Sequence, residues 1–256
     1  MDHISSSKND MIKRYRRLCE SKRERTRSGL FVLEGARLVS DCIGNGFIPE
    51  NIFIEEGLED KYRFAAYNAR TVTISHEVSR SISQTVTPQG IYAVCRLPEK
   101  KPIDRFGGGS LLILDDLQDP GNLGTIIRTA DAFGVSLALC GCCDEFSPKT
   151  VRSAMGSVFR VTMYSDTFEN TVKHLRSAGM KVYASVIDSN AVSVLDADLS
   201  SAAVVIGNEG SGMPAEHISM CDEGITIKMH GSINSLNAAM AAGIFIWELG
   251  RDSQGG

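Results

Sequence analysis

The chain has 256 residues, 43% of them hydrophobic and 23% charged, which suits one large or two modest globular domains and excludes a disordered or fibrous chain. With 27 basic against 31 acidic side chains the net charge is -4, so no overall positive field draws a nucleic acid, and such a partner has to meet a local patch. No apolar run reaches the roughly 18 residues of a membrane helix, MDHISSSKND lacks signal or transit character, and seven scattered cysteines fit reduced thiols; the expected address is the cytoplasm, without membrane contact.

In chain order, the first feature is a charge run. From Lys8 to Arg27, nine Lys/Arg side chains stand against Asp10, Glu20 and Glu24. Met11, Tyr15, Leu18 and Cys19 recur at helical spacing, which predicts one basic amphipathic helix closed at Gly29. A charge run by itself fits a solvated face equally well. The single sign favours RNA phosphate, with Lys13, Arg14, Arg16, Arg17 and Arg23 as the candidate contacts.

FVLEGARLVSDCIGNGF, IFIEE, YNARTVTIS and GIYAVCRL then alternate β-rich runs with helical stretches and turns, the pattern of a small α/β domain over residues 1–97. Two prolines and three consecutive glycines mark a linker at 98–109. From 110 to 256 the alternation strengthens. LLILDD, SLALC, KVYASVI, AAVVIGNE and GITIKM are apolar strand candidates separated by helical patterns at 122–134, 168–179 and 234–249. Strands apolar on both faces imply a parallel sheet covered by helices, with ligands beyond the strands' carboxyl ends.

Three segments place polar residues or glycine at such ends. In LLILDDLQDPGNLGTIIRTADAFG, Asn122 stands where a helix cap is wanted, and Arg128 falls off the apolar stripe of Leu123, Ile127 and Ala130. In VVIGNEGSGM the strand runs into Gly207, Asn208, Glu209, Gly210 and Gly212, where glycine lets a ligand approach the backbone; this is neither a Walker loop nor a dinucleotide fingerprint. In ITIKMHGSINSLNAAMAAGIFIWEL, Ser235 and Asn237 open a helix apolar nearly all round. Its Ala238, Ala239, Ala241, Ala242 and Gly243 permit close backbone approach, and Ile244, Phe245, Ile246 and Trp247 exceed what one core-facing stripe absorbs. Cys140, Cys142 and Cys143 lack a second Cys/His pair at zinc spacing, and the five histidines form no cluster.

Taken in order, the three segments resemble a SpoU-type RNA ribose 2'-O-methyltransferase of the SPOUT superfamily. The resemblance rests on Asn122, Gly124, Arg128, Ala130, Phe133 and Gly134; on Gly207, Glu209, Gly210, Gly212 and Met213; and on Ile227, Met229, Gly231, Ser235, Leu236, Asn237 and Gly243. Two departures stand out. Lys228 replaces a common proline, and Asn234 stands where an acidic or small residue is usual before Ser235. The N-terminal part is similar to the family's substrate-binding domain with an L30e-like fold.

The resemblance implies an α/β fold, a smaller L30e-like domain followed by a SPOUT domain with a trefoil knot, working as a homodimer. It implies S-adenosyl-L-methionine as cofactor and no metal, with Gly207, Ile227, Met229 and Leu236 at the cofactor. Arg128 corresponds to the family's arginine at the ribose. A guanidinium is a poor proton acceptor, so alkoxide stabilisation and phosphate docking are the expected role. Glu209, Ser235 and Asn237 orient Arg128 or the nucleotide, and Asn122 holds its loop or touches the ribose. The extra domain favours ribosomal RNA over tRNA. A non-catalytic ribosome-assembly factor of the same fold is the other alternative, and the intact set Asn122, Arg128, Glu209, Ser235 and Asn237 argues against it.

Overall fold

The computed structural model describes residues 2–64, 69–229, 231 and 235–251. By internal packing the chain forms two compact units: Met1–Pro98 with Phe146–Arg160, and Glu99–Glu145 with Val161–Gly256.

In the first unit, helices α1 (Asp10–Glu20), α2 (Lys22–Ser28), α3 (Ala36–Gly44) and α4 (His76–Ile82) accompany strands β1 (Asp2–Ile4), β2 (Leu30–Glu34), β3 (Pro49–Glu55), β4 (Arg70–Ile74) and β5 (Ile91–Arg96). The sheet order is β1-β4-β3-β5-β2, parallel at β1/β4 and β4/β3 and antiparallel at β3/β5 and β5/β2. The single basic helix expected from sequence is two. Ser21 takes extended backbone, its hydroxyl accepts from the Glu24 amide, and a second helix starts before Gly29 closes it in left-handed conformation. A side-chain cap in mid-run thus overrides continuous helical spacing. Ile12, Tyr15 and Leu18 of α1 are buried, and Tyr15 packs edge-on against Phe53 and Tyr92 at centroid distances of 6.1 and 5.8 Å. The Tyr15 hydroxyl donates to the Leu33 carbonyl at 3.1 Å, so its polar end is satisfied inside the core.

Helix α6 (Pro148–Ala154) belongs to this unit too, although sequence order places it among the strands of the second half. Phe146 and Phe159 flank it, and both rings pack at a tilt against Phe31 of β2.

The second unit holds seven parallel strands: β6 (Leu111–Asp115), β7 (Ser136–Cys140), β8 (Met163–Ser165), β9 (Lys181–Ser185), β10 (Val192–Ser193), β11 (Ala202–Ile206) and β12 (Glu223–Thr226), in the order β10-β12-β9-β11-β6-β7-β8. Strands β6 and β11 are buried at every residue, as expected for a sheet covered on both faces. All five apolar strand candidates are present, and the two shortest strands, β8 and β10, carry no sequence signal. Helices α5 (Pro120–Phe133), α7 (Phe168–Ser177), α8 (Ala215–Met220) and α9 (Ala238–Gly250) complete the unit. In the linker, Ile103 is buried in a short 3-10 turn. Asn234, the expected start of the last helix, lies outside the described residues; the helix itself starts at Ala238, with Asn237 as its cap.

Candidate active site

The carboxyl ends of β6, β11 and β12 lead into the three segments that the sequence singled out. Helix α5 starts earlier than expected. Asp119 is its cap, accepting the Asn122 amide at 2.8 Å, and Pro120 occupies the first turn. Asn122 is therefore inside the helix, and its side chain is freed from capping. The Asp-Pro pair was the signal for this, since proline suits the first helical position.

Asn122 spends that freedom on two other segments. Its Nδ2 donates to Glu209 at 3.2 Å, and its Oδ1 accepts from Asn237 Nδ2 at 3.0 Å. Asn237 Oδ1 in turn caps α9 through the amides of Ala239 and Met240. At the other end of the two helices Phe133 meets Trp247 edge-on at 5.3 Å. Helices α5 and α9 thus run side by side in the same direction, with both N-termini at the site.

Glu209 also accepts the backbone amides of Gln118 at 3.1 Å and Asp119 at 2.9 Å. Burial pushes its carboxyl up, but these two amides and the Asn122 side chain outweigh burial and hold it below the usual carboxylate range. The group is ionised at neutral pH and already committed to three donors. That makes it a clamp between the second and first segments and a weak proton acceptor.

Beside this clamp opens a cleft of about 380 Å³. Gly207, Ile227, Met229 and Leu236, the expected cofactor residues, all line it, and so do Glu209 and Ser235. Ser185, Val186 and Ile187 line it as well. Sequence reading missed these three, although the rule that ligands sit beyond the carboxyl ends of parallel strands applies equally to β9. Asn122 and Asn237 adjoin the cleft through Glu209. Arg128 lies further along α5, exposed, and makes neither a hydrogen bond nor an ion pair among the described residues.

Two cysteines at the carboxyl end of β7 are held as thiols. Burial pushes the Cys140 and Cys142 thiols up to about 12, so neither is a thiolate at neutral pH. Among the described residues no group of three or more His, Cys, Asp or Glu could hold a metal ion, and no helix is long and apolar enough to cross a membrane.

In the first unit the expected RNA contacts divide. Arg14 pairs with Glu50 at 2.8 Å, Arg16 donates to the Ser81 hydroxyl and the Ser7 carbonyl, and Lys13 meets Asp10 at 3.4 Å. Arg17 and Arg23 are exposed with no ion pair among the described residues.

The SpoU rRNA Methylase family matches residues 109–247, and an MRM3-like substrate binding domain matches residues 9–93. The 23S rRNA (guanosine(2553)-2'-O)-methyltransferase RlmP of Bacillus subtilis is 34% identical over 97% of this chain and 99% of its own length. Among solved structures, an AdoMet-bound rRNA methyltransferase from Sinorhizobium meliloti superposes with a TM-score of 0.88 at 29% identity, covering 98% of both chains. The SpoU methyltransferase AviRb from Streptomyces viridochromogenes, in complex with AdoMet, gives 0.85 at 26% identity over 97% of this chain and 100% of that one.

Proposed function

The chain belongs to the SpoU rRNA Methylase family, and from that premise we propose that it methylates a ribose 2'-hydroxyl of ribosomal RNA with S-adenosyl-L-methionine as donor. The observation that carries this reading is the Glu209–Asn122–Asn237 chain, which joins all three segments at the mouth of one cleft. In this reading the reaction takes place in the cytoplasm.

The residues present fit the cofactor. The cleft volume falls within the roughly 300–1,000 Å³ of small-molecule sites. A Cβ on Gly207 would stand 2.7 Å from the Met213 amide nitrogen, so glycine is what lets the turn close and form this wall of the cleft. Gly207, Ile227, Met229 and Leu236 would hold the group, which supplies an electrophilic methyl when bound. The chain's own task is then to align the attacking oxygen and stabilise its charge. Arg128, whose guanidinium has no partner among the described residues, stabilises the developing alkoxide and docks the adjacent phosphate. Asn122 and Asn237 fix the two helix N-termini, Glu209 ties them to the cleft, and Ser235 contacts the nucleotide. Residues 1–97, joined by Phe146–Arg160, act as the substrate-binding domain, with an L30e-like fold, and the rest of 110–256 as the knotted SPOUT domain that follows the 98–109 linker.

Mapping 2'-O-methyl groups in a Bacillus subtilis 23S rRNA transcript treated with the protein and S-adenosylmethionine tests the reaction. One methylated ribose is the expected result. Methylation of tRNA in place of that transcript would overturn the choice of substrate.

The exposed cations of α1 and α2 supply RNA affinity in this reading. Arg17→Glu with Arg23→Glu is expected to weaken RNA binding and to flatten its log–log salt slope by roughly one per arginine lost. An unchanged slope in filter binding would move the RNA track elsewhere.

The protein acts as a homodimer through the second unit. Met240 and Trp247 lie seven residues apart on one face of α9 and stay 64% and 50% exposed, and a twofold contact covers such a stripe. Sedimentation of the full chain at micromolar concentration is expected to give a dimer, and Trp247→Glu a monomer. A monomeric wild type removes this part of the proposal.

A further inference from the structure

The turn that walls the cleft is held by two residues to which the reaction gives no role. Asn208 and Gly212 exchange backbone hydrogen bonds at 3.2 and 3.0 Å, closing the turn on itself. Inside it, Asn208 Oδ1 accepts the amides of Gly210 at 2.9 Å and Ser211 at 3.1 Å. Outward, Asn208 Nδ2 donates to Asp116, to the carbonyl at 2.9 Å and to Oδ2 at 3.2 Å. The other carboxylate oxygen of Asp116 accepts Gln118 Nε2 at 2.6 Å, and the Gln118 amide is one of the donors to Glu209. The contacts form a closed ring: Asn208, Asp116, Gln118, Glu209 and back along the chain to Asn208.

Asp116 occupies this place against a conformational cost. Its φ is +57°, a left-handed value that glycine adopts freely and that aspartate and asparagine tolerate better than other side chains. Glycine would relieve the backbone but remove the carboxylate that joins the two side-chain amides, leaving Asn208 Nδ2 on the residue-116 carbonyl and Gln118 Nε2 on the Gly141 carbonyl. Asparagine would tolerate the backbone but bring one acceptor and one donor to meet two donors. Only a carboxylate offers an acceptor to each.

We infer that Asp116 and Asn208 are positioning residues for methyl transfer, setting through Glu209 how the cleft wall stands against the loop that leads into α5, the helix that carries Asn122 and Arg128. The inference rests on the proposed use of the cleft by S-adenosylmethionine. Neither residue touches the reacting atoms in this scheme. Their effect is on alignment, so it falls on kcat more than on cofactor affinity. The turn's internal bonds, which shape the cofactor wall, survive any change at Asp116.

The test compares Asp116→Asn with Asp116→Gly. Both keep the backbone carbonyl that Asn208 Nδ2 meets; asparagine sets a donor against one of the two amide donors, whereas glycine removes the carboxylate link and also relieves the left-handed backbone. Single-turnover methylation of the 23S transcript is expected to slow about tenfold in each variant, the equivalent of one hydrogen bond, while the Tm of Asp116→Gly does not fall. The Kd for S-adenosylhomocysteine by calorimetry stays within about threefold in both. Methylation unchanged in both variants overturns the inference, as does a slower rate that comes only with weakened cofactor binding. A wild-type protein that binds no S-adenosylhomocysteine overturns the cofactor reading itself, and the inference with it.

Discussion

Arg128→Ala is expected to slow methyl transfer about 100- to 1,000-fold, the usual loss when a charged donor is removed from a developing oxyanion, while the Kd for S-adenosylhomocysteine stays within about twofold. The separation follows from where the side chain sits. Arg128 is on the exposed face of α5, is not part of the cleft lining, and has no internal partner among the described residues. Truncating it leaves no buried group unpaired, so stability should change by no more than about 0.5 kcal/mol. Arg128→Lys should recover little, because an ammonium does not reproduce the planar fork that can hold an oxyanion and a phosphate together. Lost cofactor binding in a folded Arg128→Ala protein would overturn this division of labour.

Gly207→Ala is expected to weaken cofactor binding by about 100-fold or more. The added methyl group would stand 2.7 Å from the Met213 nitrogen and 2.8 Å from the Gly212 carbonyl carbon. Both are backbone atoms, and neither can swing aside as a side-chain tip does. The turn must open, which breaks the Asn208–Gly212 pair and removes one wall of the cleft. Overpacking of this kind costs roughly 1–3 kcal/mol, and about 2.7 kcal/mol corresponds to that hundredfold. Gly210→Ala is the control, because its Cβ would meet only Asn208 Oδ1 at an ordinary 3.6 Å, and its affinity should change by no more than about threefold. Calorimetry on both decides the matter; equal affinities in the two variants would show that the turn tolerates bulk where the geometry forbids it.

The second half of the chain was legible wherever a feature was local. Apolar runs announced β6, β7, β9, β11 and β12, and glycine beyond a strand announced the cleft wall. Asn122 shows where locality ends. Its spacing suggested a cap, but an Asp-Pro pair had already claimed that position, and the partners that Asn122 found instead come from segments remote in sequence. The basic run shows the same limit. Nine cations could be counted, yet nothing in the count says that Arg14 is spent on Glu50 or that Arg25 is buried. Charge pattern records composition, whereas availability depends on tertiary neighbours. The ring through Asp116 and Asn208 was invisible for a further reason: a left-handed backbone at an aspartate leaves no mark on the sequence.

The strand order of the second unit also bears on when the site can come into being. Strand β6 is the first of the seven to be synthesised, yet one of its two edges pairs with β11, Leu111 opposite Ala203. The clamp bridges 87 residues from Asn122 to Glu209 and 115 from Asn122 to Asn237. Loops of that length must close before any contact rewards them, which slows folding. During translation β6 therefore waits with an apolar edge bare while the intervening chain is made, a period in which it can pair wrongly or aggregate. A ribosome stalled just past β11 has made Asn122, Arg128 and Glu209 and still has no Asn237 to lock them. The Glu209–Asn122–Asn237 chain thus waits on the last of its three segments to be made, and a nascent chain that stops short of Asn237 has the first two without the third that aligns them.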